Sequence, residues 1–261
     1  MNVSVSYRLI AQNLDRSLAI TASQGPVKLE SEYYLENYRN ISSIDEFLAD
    51  TRLFRFAMTA YGLADLAFAK GYMRKILEEG VTEPDSLANR TSDNRLREFA
   101  AAFDFESFGD LTMRREINGQ PTVDRYVRQT MEVDAGEVDG EGVRLALYFE
   151  RMAPKIDSAF DILADAALFK VVRTVLGLPT AFSAIDIDRQ AAVLEEEIDF
   201  ESFSDPVELD RFLTRFTAVW DATEVTSTDP ILSLFGAGGN ASPTLSLDLA
   251  MSLQSFRLGG N

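Results

Sequence analysis

Leu48-Ala49-Asp50-x-x-Leu53-Phe54 and Leu163-Ala164-Asp165-x-x-Leu168-Phe169 are one motif written twice, 115 residues apart. Each copy ends a short apolar helix and offers an aspartate as the N-cap of the next. Each then drives two large apolar residues into a core. After Asp50, Leu53, Phe54, Ala57, Met58 and Tyr61 form an apolar stripe. Gly62 stands where a left-handed residue closes the helix. Asp165, Leu168, Phe169, Val172 and Leu176 before Gly177 repeat the pattern.

At the same offset Tyr33 matches Tyr148, Ile41 matches Ile156, Ser43 matches Ser158, Thr59 matches Thr174 and Leu63 matches Leu178. An internal duplication is expected. With a small frame change, Leu96, Phe99 and Phe103 fall on Leu209, Phe212 and Phe216. The pentapeptide Asp104–Phe108 recurs as Asp199–Phe203 at a different offset. It lies outside this alignment, as coincidence or as a reused packing solution.

Working outward, residues 6–23 read as one helix with Tyr7, Ile10, Leu14 and Leu18 on one face. Gly25-Pro26 breaks it, and Pro26 suits the first turn of a second helix running to Arg39. Ser43 with Glu46 has capping-box spacing. Ala64–Glu79 and the segment after Asp93 are helical, and Phe105–Gln120 is an irregular connector. Thr122–Val133 is a helix, Asp134–Gly142 an acidic glycine-bearing loop, and Val143–Met152 helical again. Helices over Ile156–Leu163, Asp165–Leu176 and Asp186–Ile198 follow, and Asp205-Pro206-Val207-Glu208 opens the helix that holds Trp220. No two strand-like runs flank a tight turn. The fold class is therefore all-α: two tandem, similar multi-helix units over 1–110 and 111–222, packed as one body. A joint and apolar tail occupy 223–261. In the tail Leu245, Leu249, Leu253 and Phe256 share a helical stripe that either folds back on the body or docks on a partner.

The 261 residues include no cysteine and no histidine. Thiolate zinc sites, Cys nucleophiles, Ser-His arrangements and the usual neutral-pH base are excluded. A net charge of −17 and a pI near 4.4 disfavour nucleic acid. No stretch is apolar for long enough to span a bilayer. Arg8, Asp15 and Arg16 interrupt any signal-peptide core, so no cleavable signal is expected.

The Asp134–Gly142 stretch fails the EF-hand spacing: Gly140 at the sixth place puts Ala135 first and Ala146 twelfth. Glu195-Glu196-Glu197 reads as the wet face of a helix. Tyr33 and Tyr34 could stack on a sugar, but their counterparts Tyr148 and Phe149 make them core. No phosphate-binding glycine loop is present. No catalytic, metal or cofactor residues are assigned.

Ser6–Ile10, Glu32–Leu35, Ile44–Leu48, Phe54–Met58 and Tyr72–Gly80 together resemble an uncharacterised bacterial family classed as a domain of unknown function. The resemblance is clearest over 6–110, weaker over 111–222 and silent on the tail. It implies an all-helical fold, a domain that sometimes occurs more than once per chain, and, for some members, a place among flagellar genes. The expected function is a non-enzymatic structural or assembly protein that binds protein partners. The alternatives are a cytoplasmic adaptor or chaperone for exported flagellar proteins, and a carboxylate-based glycan hydrolase. The expected location is the cytoplasm or the flagellum. The partner's identity and the oligomeric state stay open.

Overall fold

The chain enters as two helices where the apolar spacing predicts one. α1 (Val3–Gln12) and α2 (Leu14–Ser23) meet at Asn13, whose backbone leaves the helical region at φ −124°, ψ 37°. Asn13 closes α1 by donating from its backbone N–H to Ile10 O and from Nδ2 to Leu9 O. The stripe Tyr7-Ile10-Leu14-Leu18 runs across this break, which hid it. The computed structural model describes residues 2–228, with side chains to residue 223. The proposed tail residues Leu245, Leu249, Leu253 and Phe256 lie outside the described residues.

α3 (Gly25–Asn37) carries Pro26 in its first turn, as expected, and ends in a 3-10 turn, Tyr38–Asn40. α4 (Ile44–Ala49) starts at Ser43, whose Oγ accepts from Glu46 N–H at 3.2 Å. The Glu46 carboxylate turns to the N–H and Oγ of Ser42, so the box is only half made. α5 (Thr51–Ala60) is capped by Asp50, which accepts from Leu53 N–H at 2.9 Å. The expected helix from Ala64 is a 3-10 turn, Ala64–Leu66, followed by α6 (Lys70–Glu79). α7 (Leu87–Arg90), α8 (Asn94–Ala102, capped by Asp93) and α9 (Phe105–Phe108) lead into 3-10 turns.

α10 (Gln120–Asp139) then runs for 20 residues, through most of the expected acidic loop. That expectation is corrected. Gly136 lies inside the helix because a Cβ there would stand 2.9 Å from the Cβ of Arg144. The glycine marks a close helix crossing and not a turn; only Gly140, at φ 106°, turns the chain. α11 (Glu141–Met152), α12 (Ala159–Leu163), α13 (Ala166–Leu176), α14 (Ile187–Glu197) and α15 (Pro206–Thr228) complete the described chain. The described residues are helices and turns without strands, so the fold is all-α.

Local structure repeats across the 115-residue offset. Tyr33 Oη donates to Asp50 at 2.8 Å, and Tyr148 Oη to Asp165 at 2.5 Å. Asp165 caps α13 through the N–H groups of Ala167 and Leu168. Ser158 and Asp161 form the complete capping box that Ser43 and Glu46 leave unfinished. Both glycines close their helices the same way: Leu63 N–H donates to Met58 O at 2.8 Å, Leu178 N–H to Arg173 O at 3.0 Å, with φ near +70° at Gly62 (71°) and Gly177 (67°). The Asp104–Phe108 and Asp199–Phe203 segments do not behave alike. Phe105 is buried and Phe108 exposed in the first, while Phe203 is the buried ring in the second.

Residues 2–221 form one compact unit. This unit holds two cores. One gathers Tyr34, Phe47, Leu53, Phe54, Phe99 and Phe103; the other gathers Phe149, Leu168, Val172, Phe203 and Phe216. α10 joins them. Val123 and Val127 sit in the first, Met131 and Ala135 in the second. α1 reaches into the second core with Val3 and Tyr7. Its first turn is held by Asp221, which accepts from Val3 N–H at 2.8 Å and Ser4 N–H at 3.1 Å. A carboxylate there also opposes the positive end of the helix dipole.

Candidate functional site

The features that repeat between the two motif regions also expose the place where they differ. In the first, Arg52 follows the Asp50 cap. Its guanidinium lies 3.9 Å from the centre of the Tyr33 ring, its Nε donates to Glu30 at 2.9 Å and an Nη to Leu29 O at 3.2 Å. At the matching positions the second region has Ala167 for Arg52 and Leu145 for Glu30. Both line an open cleft of about 390 Å³. Such a volume falls within the range of small-molecule sites.

Five stretches build the rest of the cleft, one of them Ala164, Asp165 and Ala166 at the start of α13. The end of α5 supplies Ala60, Tyr61 and Gly62. The start of α8 supplies Arg95 and Glu98. The middle of α10 supplies Arg125, Gln129 and Glu132, and α11 supplies Arg144, Tyr148 and Arg151. Helical spacing places Arg125, Gln129 and Glu132 on one face of α10. Arg144, Tyr148 and Arg151 share a face of α11 for the same reason.

The carboxylates of this wall are in use. Glu132 is only 1% exposed. It accepts from Arg128 Nε at 2.8 Å and from Arg151 Nε and Nη2 at 2.7 and 2.9 Å. Asp93 takes a two-pronged bond from Arg95, whose Nη1 also reaches Gly62 O at 2.6 Å. Glu98 accepts from Lys155 at 2.6 Å. Asp165 accepts from Tyr148 while capping α13. Burial and the Asp165 charge push the Tyr148 hydroxyl well above the usual phenol range. The hydrogen bond to Asp50 raises Tyr33 in the same direction. Burial of Arg151 would lower its pKa, but the bond to Glu132 prevails and holds it charged.

The donors are not all in use. Among the described residues Arg144 has neither an ion pair nor a hydrogen bond. Arg125 pairs with Glu98 at 3.6 Å and lies 4.9 Å from the centre of the Tyr61 ring, but its side chain makes no hydrogen bond among the described residues. Gln129 accepts from Arg151 through Oε1, which leaves its Nε2 as a donor.

The sequence signals meet this site in part. Tyr148 and Asp165 line it, although their spacing marked them only as core and cap. Tyr34 is buried, stacks on Phe56 and Tyr38, and donates to Asn118 O at 2.7 Å, so it faces no ligand. Glu195, Glu196 and Glu197 are exposed on α14, as expected. Arg125, Gln129, Glu132, Arg144 and Arg151 carried no motif. The available signal was the replacement of an Arg–Glu pair by Ala167 and Leu145 within an otherwise matched stretch.

Residues 60–209 match the profile of a family described as protein of unknown function (DUF1217). The match begins at the end of α5 and runs into α15. A crystal structure of protein AGR_C_984 from Agrobacterium tumefaciens is 42% identical in sequence, with a TM-score of 0.79 over 85% of this chain and 96% of that one. No functionally curated protein matches.

Proposed function

Starting from the membership of this chain in the DUF1217 family of proteins of unknown function, we propose a non-enzymatic structural or assembly protein that binds protein partners and is flagellum-associated. The observation that carries this reading is chemical. The chain has no histidine or cysteine, and the acids of the Tyr148 cleft are committed to caps, ion pairs and a tyrosine. A carboxylate hydrolase needs one acid free to protonate a leaving group. Glu150, whose carboxyl is pushed up by burial, does not line the cleft.

Exposed apolar side chains support partner binding: Val5 and Leu9 on α1, Leu29 on α3, and Phe68, which is 84% exposed. The tail residues Leu245, Leu249, Leu253 and Phe256 are proposed as a further docking stripe. Among the described residues no helix is long and apolar enough to cross a membrane. The flagellar assignment rests on the resemblance carried by residues 6–110. A cytoplasmic location and a filament or basal-body location are both compatible with that resemblance.

The test is motility of a deletion strain, rescued with the full chain or with a version lacking residues 236–261. Loss of motility with rescue by the full chain alone is expected. Unimpaired motility in the deletion strain removes the flagellar role. Pull-downs with the two versions test the tail: an unchanged set of partners removes it as the docking element.

A further inference from the structure

We propose that the cleft over Tyr148 is a binding site for a small organic carboxylate. The inference goes beyond the scaffold role and does not depend on it.

Three observations carry it. First, the two tyrosines face different surroundings. Arg52 covers the Tyr33 ring and pairs with Glu30, the two bordering a separate cleft of about 500 Å³ that Tyr33 does not line, whereas Ala167 and Leu145 line the cleft together with Tyr148 itself. Second, hydrogen-bonding capacity at the opening is unbalanced towards donors. Arg144, Arg125 and Gln129 Nε2 have capacity to spare, while Glu132, Glu98 and Asp165 are occupied. A ligand that completes this set must accept hydrogen bonds and carry negative charge. Third, the remaining wall is apolar, from Leu145, Met152, Ala164 and Ala167. That wall suits an organic body carrying the acceptor group.

Charge supports the same conclusion. The chain as a whole carries −17. Along the lining Arg95, Arg125, Arg144 and Arg151 balance Asp93, Glu98, Glu132 and Asp165, so the cleft lacks the acidic excess of the chain. A planar guanidinium fork there matches a carboxylate. Arg144 is placed by backbone geometry. Its aliphatic stem crosses α10 at Gly136, where any side chain would collide with it.

The experiment uses the full-length protein and three probes: 4-phenylbutyrate, its neutral amide, and inorganic phosphate. Binding is measured by isothermal titration, and the Arg side-chain Nε–Hε resonances of Arg144 and Arg125 are followed by NMR. Saturable binding of 4-phenylbutyrate with a Kd at or below about 1 mM is expected, with the amide at least about tenfold weaker. Arg144→Ala should weaken phenylbutyrate binding by about tenfold or more. Ala167→Glu should abolish it, because the new carboxylate takes the spare donors, and an acid in the first turn of α13 suits that helix. Unchanged thermal unfolding of both variants shows that they fold. No saturable binding of phenylbutyrate overturns the proposal, as does equal binding of the amide. Phosphate binding without phenylbutyrate binding overturns the carboxylate assignment. Binding unaffected by both substitutions places the ligand elsewhere and overturns the site.

Discussion

Glu132→Gln tests whether the buried charge cluster ties α10 to α11. The carboxylate is almost inaccessible and takes three charge-assisted bonds from two arginines, at 2.7, 2.8 and 2.9 Å. Each such bond contributes about 1.5–3 kcal/mol net, and the three are not additive. Breaking a buried pair from one side costs about 3–5 kcal/mol, because the other charge stays behind. Here the abandoned arginines keep other acceptors: Arg128 retains Leu147 O, and Arg151 retains Gln129 Oε1. The lower end, about 3 kcal/mol, is therefore expected. An opposing effect exists, since removing one acid relieves self-repulsion in a chain of charge −17. That relief is spread over the surface and screened, so the local loss prevails. For a unit of this size, about 3 kcal/mol lowers Tm by roughly 6–12 °C. Urea unfolding and a thermal melt measure it, with the exposed Glu137→Gln as a control that should stay within about 0.5 kcal/mol. A loss below about 1 kcal/mol for Glu132→Gln refutes the reasoning. The cluster would then be a tolerated decoration of the α10–α11 contact.

Gly142→Ala places a Cβ 2.7 Å from the Trp220 ring, a contact that must shift. It should destabilise by about 1–3 kcal/mol and change the emission of the chain's single tryptophan; an unchanged spectrum and Tm would mean that α11 and α15 give way freely. Gly177→Ala meets no neighbour but sits at φ 67°, so the expected cost is about 1 kcal/mol from backbone strain alone, read from the urea midpoint. Asp165→Asn removes the charge that Tyr148 donates to and weakens the cap of α13; a loss of about 1 kcal/mol is expected, and a fall in the Tyr148 pKa by spectrophotometric titration should accompany it. Glu150 has a folded-state pKa raised first by burial, so its ionisation works against folding at neutral pH. Glu150→Gln should therefore raise Tm at pH 7, and the gain should shrink as the pH falls through the raised pKa; a gain that grows in acid would reverse the sign of the argument.

Much of this fold is legible in the chain because caps are local. Asp50, Asp93, Asp165 and Asp186 each accept from an N–H within three residues, so sequence spacing alone locates the helix starts. Gly62 and Gly177 are legible for the same reason. The misses have non-local causes. Apolar periodicity carries through Asn13, because both flanking helices bury the same face while the backbone bends between them. Gly136 and Gly142 sit in an acidic stretch that has loop composition. Their real constraints are Arg144 and Trp220, on segments that come close only after folding. A glycine enforced by a helix crossing and a glycine enforced by a turn look alike until the crossing is known.

The cleft shows the same limit in a sharper form. Alignment of the two motif regions already places Ala167 opposite Arg52 and Leu145 opposite Glu30. In sequence these are two scattered substitutions at positions 22 residues apart. In space Arg52 and Glu30 are one ion pair over a tyrosine, joined by a 2.9 Å bond. Ala167 and Leu145 form no such pair, and the Tyr148 cleft lies against them. The tyrosine, the aspartate that accepts its hydrogen bond and the glycine-closed helix stand around it. The donors that line the cleft stand on α8, α10 and α11, and such rigid placement is what a binding site requires.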